Sequence, residues 1–135
     1  MTTRKPYPTR RMADAFLDFA SPLLDAPQRL PLFDILNDDM PEWVARELLG
    51  MAYTTWNAVV FADVLENPRH LNELRRQTAP DPDFSALIEQ LIDRKRTLFA
   101  DDQRTIGKWE MTWTPSGISL TAVAHDTWAA LGRPN

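Results

Sequence analysis

The chain contains no cysteine, which excludes disulfides, thiolate metal sites and any cysteine nucleophile. Glycine is nearly as scarce, with four residues in 135. That is too few for a glycine-rich phosphate cradle, and neither a Gly-x-Ser-x-Gly elbow nor a Walker loop occurs. Only two histidines are present, His70 and His125. No His-x-x-x-His or Glu-x-x-His spacing sets two metal ligands on one helix face. Long apolar runs are missing too: the stretch at 58–61 falls far short of the ~20 residues needed to span a bilayer. The first eleven residues carry Arg4, Lys5, Arg10 and Arg11 without an apolar run behind them, which is not the pattern of a secretory signal. The expectation is a cytosolic chain with no membrane segment, no metal and no cofactor.

What is present is ordinary globular material. Hydrophobic residues make up 44% and charged residues 25% of the chain, so most of it can fold into a core and need not stay disordered. At this length one domain buries roughly two-thirds of the surface its unfolded chain exposes. The net charge of −4 is unevenly spread. Residues 1–12 hold four basic side chains and no acid, residues 13–67 hold ten acids against Arg29 and Arg46, and residues 68–112 balance at eight of each sign. An acidic middle repels phosphate backbones, so nucleic acid is not the first partner to propose.

Residues 1–10, with Pro6 and Pro8 among polar neighbours, read as a flexible basic arm. One globular domain follows over 11–135. Met12, Phe16, Phe19, Ala20 and Leu23 recur at helical spacing and predict a helix over 11–21, which Pro22 ends because proline disfavours a helical residue before it. A short helix is expected at 28–36, after Pro27. Asp39, Pro41 and Glu42 form a helix start with capping-box spacing. It opens a long helix over 40–66, striped by Trp43, Val44, Leu48, Met51, Ala52, Trp56, Val59, Val60 and Val64. Gly50 and Thr54-Thr55 are weak helix formers inside it. Asn67-Pro68 opens another helix over 68–77, and Asp81-Pro82-Asp83 opens a helix over 82–99 carrying Phe84, Leu87, Ile88, Leu91, Ile92, Leu98 and Phe99. Beyond Asp102 the period drops to two. Gly107, Trp109, Met111 and Trp113 alternate with Ile106, Lys108, Glu110 and Thr112. Thr114-Pro115-Ser116-Gly117 is turn chemistry, and Ile118, Leu120, Ala122 and Ala124 alternate with Ser119, Thr121 and Val123. The fold class is therefore α+β, mainly α: four or five helices with a C-terminal antiparallel β-hairpin over 105–124 packed on them.

Three functional readings follow. The first is a non-enzymatic protein-interaction or assembly module that associates with itself or a protein partner through the hairpin or the long central helix. Its carrier is the stripe Trp109, Met111 and Trp113, because Trp and Met are enriched in interface cores. The second is a nucleic-acid-binding accessory protein, using the arm with Arg94, Lys95, Arg96, Arg104 and Lys108 beside tryptophans that stack on bases. The third is a small hydrolase or isomerase in which His125, a side chain that titrates near neutral pH, works with Asp101, Asp102 and Glu110. Against that last reading, Asp102 or Asp101 paired with Arg104 or Arg96 is the simpler expectation. Asn57, polar on an apolar helix between Trp56 and Ala58, is expected to bond to a Trp N–H or a backbone group, with orientation of a ligand as the alternative.

Overall fold

The computed structural model describes the backbone of residues 11–25, 42–114 and 117–125. Four helices, α1 (Met12–Asp25), α2 (Glu42–Val64), α3 (Arg69–Thr78) and α4 (Pro82–Leu98), precede a hairpin of β1 (Thr105–Thr114) and β2 (Gly117–His125). The expected arm at 1–10 and the short helix at 28–36 lie outside the described residues. Helix α2 is the axis of the molecule. One side of it meets α1, Leu91, Phe99 and the inner face of the hairpin in a cluster holding Phe16, Phe19, Leu48, Leu49, Trp56 and Ile106. On its other side Ala58 and Val59 meet Leu71 and Leu74 of α3 and Ile88 and Ile92 of α4. The apolar run at 58–61 is where these two cores join.

Pro22 does not end α1, which runs on to Asp25 with the proline inside it. A proline at this position cannot donate to the carbonyl four residues back and crowds it. That carbonyl belongs to Asp18, and it accepts a hydrogen bond from Arg94 Nη2 of α4 at 2.9 Å instead. The same guanidinium group donates to Asp18 Oδ1 at 3.1 Å and lies over the Phe99 ring. A side chain from another helix thus satisfies the acceptor that the proline leaves open.

Helix α2 is unbroken through Gly50 and Thr54-Thr55. The two threonine hydroxyls donate back to the carbonyls of Gly50 at 3.0 Å and Met51 at 2.8 Å, which lets Thr55 sit fully buried without an orphaned oxygen. Trp43, expected on the apolar stripe, is instead 64% exposed; it stands on the side of the first turn away from the core, into which Val44 and Ala45 beside it are already buried. The helix ends through Glu66, held at φ 55, which turns the Asn67 N–H back onto the Phe61 carbonyl at 3.0 Å. Asn67 Oδ1 then accepts the Arg69 N–H as α3 begins. At α4 the Asp81 carboxylate accepts the N–H groups of Asp83 and Phe84, with Pro82 in the first turn, as the sequence predicts.

The hairpin pairs Trp109 with Ala122, Met111 with Leu120 and Thr114 with Gly117, but Ile106 with Ala124. Gly107 and Lys108 on β1 therefore stand opposite Val123 alone on β2, a bulge. This extra residue puts Ile106 on the same face as Trp109 and Met111, where a strict alternation would set it opposite. Ile106 and Met111 are accordingly both buried, while Lys108, Glu110 and Thr112 point outward and are exposed.

Candidate functional site

The Trp109–Met111 stripe faces inward. Met111 is 4% exposed and belongs to the main core. Trp109 is half-buried, edge-on to Phe16 at 5.5 Å and tilted against Tyr53 at 6.2 Å. At these two positions the protein's own helices cover the surface that the sequence offers as an interface, because the bulge and the hairpin register seat both side chains on α1 and α2. The side chain of Trp113 lies outside the described residues.

The basic residues expected to form a patch are dispersed into internal pairs. Arg94 is held by Asp18. Arg96 makes two bonds of 2.9 Å to Asp63, and the interaction raises the Arg96 guanidinium above its ordinary value. Arg104 grips Asp102 through Nε at 2.8 Å and Nη2 at 2.6 Å. Lys95 is only 4% exposed. Lys108 alone of the five stands on the exposed outer face of the hairpin. The acids of the third reading divide likewise: Asp102 is buried on Arg104, while Asp101 and Glu110 are exposed, Glu110 on the outer face of β1. The His125 side chain lies outside the described residues, and His70 is exposed with its ring against Phe61.

The buried polar groups instead converge on the connection between α4 and β1. Lys95 Nζ donates to the carbonyls of Phe99 at 2.9 Å and Asp102 at 2.8 Å and lies 4.6 Å from the centre of the Trp56 ring. Burial pushes its pKa down to about 8, against the pull of Asp102 and Asp63. Trp56 Nε1 donates to the Arg104 carbonyl at 2.7 Å. Asn57 does what a neighbouring strand would do. Its Nδ2 donates to the Ile106 carbonyl at 2.9 Å, and its Oδ1 accepts the Ile106 N–H at 2.7 Å. Beside this knot Val59, Val60 and Val64 floor a cleft of ≈ 230 Å³ rimmed by Asp63 and Arg96. The Lys95 amine thus ties the last turn of α4 to the connection that leads into β1.

These ties make the two edges of the hairpin unequal. Because both backbone groups of Ile106 meet Asn57, they turn away from β2, and the free edge of β1 is closed there by a side-chain amide. Next to it comes the bulge, which twists a strand away from further pairing. Alternation along an antiparallel ladder makes the backbone groups of Ala124, Ala122 and Leu120 point outward on β2. Among the described residues no side chain or backbone group bonds to them. Residues 117–124 carry no charge and no proline, the usual guards of an open edge. Val123 is 53% exposed on the outer face. Beside the strand, Leu120 and Ala122 line a shallow groove of ≈ 190 Å³ with Arg11, Met12 and Ala13.

No family model, curated protein or solved structure matches the chain.

Proposed function

We propose that this chain is a non-enzymatic, cytosolic protein-interaction module, and that it docks its partner by strand addition along β2. One observation carries the reading: β1 is capped by Asn57 at Ile106, bulged beside it and charged at Lys108 and Glu110, while uncharged β2 leaves the outward N–H and C=O groups of Leu120, Ala122 and Ala124 without a partner among the described residues. An exposed strand edge lacking charge, proline and bulge is a template for another strand. Main-chain bonds then supply affinity, and the groove beside Leu120 and Ala122 receives alternate side chains. The face holding Trp109 and Met111 has a different task. It anchors the ribbon to the helices so that the edge is held rigid and exposed.

The test places a photo-crosslinking amino acid at Thr121, exposed on β2, and as a control at Gln90, exposed on α4. Irradiation in cells is expected to give a discrete protein adduct from position 121, absent from position 90 and lost when Ala122→Pro removes an outward N–H. No adduct from position 121, or an adduct that survives Ala122→Pro, overturns the reading.

A further inference from the structure

Resting on the reading of β2 as the docking edge, we infer that its occupant is the β2 strand of a second copy of this chain. The two strands pair antiparallel about a two-fold axis to give one four-stranded sheet in the order β1-β2-β2-β1. Antiparallel pairing is self-complementary, since each outward-facing residue offers one donor and one acceptor to its reversed mate. What ordinarily forbids such symmetry is charge, because a two-fold sets like charges close together across the new ladder. Residues 117–124, Gly-Ile-Ser-Leu-Thr-Ala-Val-Ala, bring none. For the same reason the strand has no means of choosing a foreign partner by charge complementarity. Hydrophobic pattern points the same way. Leu120 and Ala122 are half-buried at the margin of the core, and a second copy extends that apolar layer with its own Leu120 and Ala122. On the outer face Ser119, Thr121 and Val123 are all exposed, and such β-branched and hydroxyl pairs favour each other across strands. The β1 edge is unsuited to the same symmetry: Asn57 closes it at Ile106, the bulge at Gly107-Lys108 follows, and Lys108 and Glu110 set charges along it that a two-fold brings together.

Sedimentation of the full chain, from low micromolar to near-millimolar concentration, is expected to show a reversible monomer–dimer equilibrium. Hydrogen exchange at the Leu120, Ala122 and Ala124 amides should slow as the dimer forms. Two substitutions test the edge by different means. Ala122→Pro removes an outward donor without touching the β1 ladder, and Thr121→Lys sets like charges across the symmetric junction. Each is expected to raise the dissociation constant by about tenfold or more while leaving the far-ultraviolet circular dichroism unchanged. A chain that stays monomeric throughout, whether those amides exchange freely or are protected by another part of the same chain, overturns the inference. So does a dimer that neither substitution weakens. The crosslink from position 121 separates this inference from the reading beneath it. An adduct of two copies supports both, an adduct with a different protein sinks the second-copy inference alone, and no adduct sinks both.

Discussion

Lys95 offers a measurement in which the sign and the size both follow from the structure. Its amine is buried, and burial lowers its pKa from 10.5 to about 8. With each pKa unit worth about 1.4 kcal/mol, holding the charged form inside the fold costs ~3 kcal/mol at neutral pH. Below pH 8 both the folded and the unfolded chain carry this proton, and the cost is paid in full. Between pH 8 and 10.5 the folded protein releases the proton while the unfolded chain keeps it, so the unfolded state binds more protons and stability rises with pH. Above 10.5 the gain is complete. The neutral amine still has two hydrogens for the two carbonyls of Phe99 and Asp102, so the tie survives deprotonation. Lys95→Met keeps most of the stem and removes the titration. Urea unfolding of both proteins from pH 7 to 10.5 cancels every other group that titrates in this range, provided each unfolds in two states. The stability of the parent relative to Lys95→Met is expected to climb by ~3 kcal/mol across that window. A flat difference would mean that the amine is not desolvated. A falling difference would mean that the two carbonyls and the Trp56 ring stabilise the cation by more than burial penalises it, and the reasoning would be refuted.

Two further substitutions probe the frame that holds the hairpin. Asn57→Leu fills the same space but strands the N–H and C=O of Ile106, a residue 2% exposed; a loss of ~2–4 kcal/mol in denaturant unfolding is expected, with concentration-dependent aggregation as the β1 edge opens. Gly50→Ala adds a methyl group that meets nothing within 4 Å, in the middle of α2, and thermal unfolding should report a gain of about 0.5–1 kcal/mol.

Much of this architecture is legible in the chain because local signals and burial agree. Asp81, Pro82 and Asp83 open α4 where capping chemistry requires, and Leu91 and Ile92 fall on its buried face. The turn at Thr114–Gly117 and the alternation along β2 likewise give the hairpin and its register. Misreadings occur where a distant residue overrides a local rule. Pro22 stops a helix only if nothing else takes the Asp18 carbonyl, and Arg94 stands far away in sequence. The bulge at Gly107-Lys108 shifts Ile106 to the inner face through pairing with β2, which periodicity on β1 alone does not reveal. Lys95 looks like one more cation at a helix end and in fact binds the last carbonyls of that end from inside the core. The dissolution of the basic patch has the same origin at Arg94 and Arg96, whose acids Asp18 and Asp63 come from α1 and α2, whereas the Asp102–Arg104 pair is local and legible in the chain. Asn57 did carry a signal. A polar amide amid apolar neighbours needs buried partners, and the strand edge supplies them.

The hydrogen bond from Arg94 to the Asp18 carbonyl also makes the first helix contingent on the fourth. In isolation, the turn around Pro22 has a gap in its ladder and every reason to fray from residue 18 onward; only when the arginine arrives from across the molecule is that turn completed. The two positions are therefore a bargain struck between two helices that are distant in sequence and adjacent in the fold. A descendant that traded the proline for an ordinary helix former would release the arginine from its duty, whereas one that lost the arginine first would leave α1 half-made.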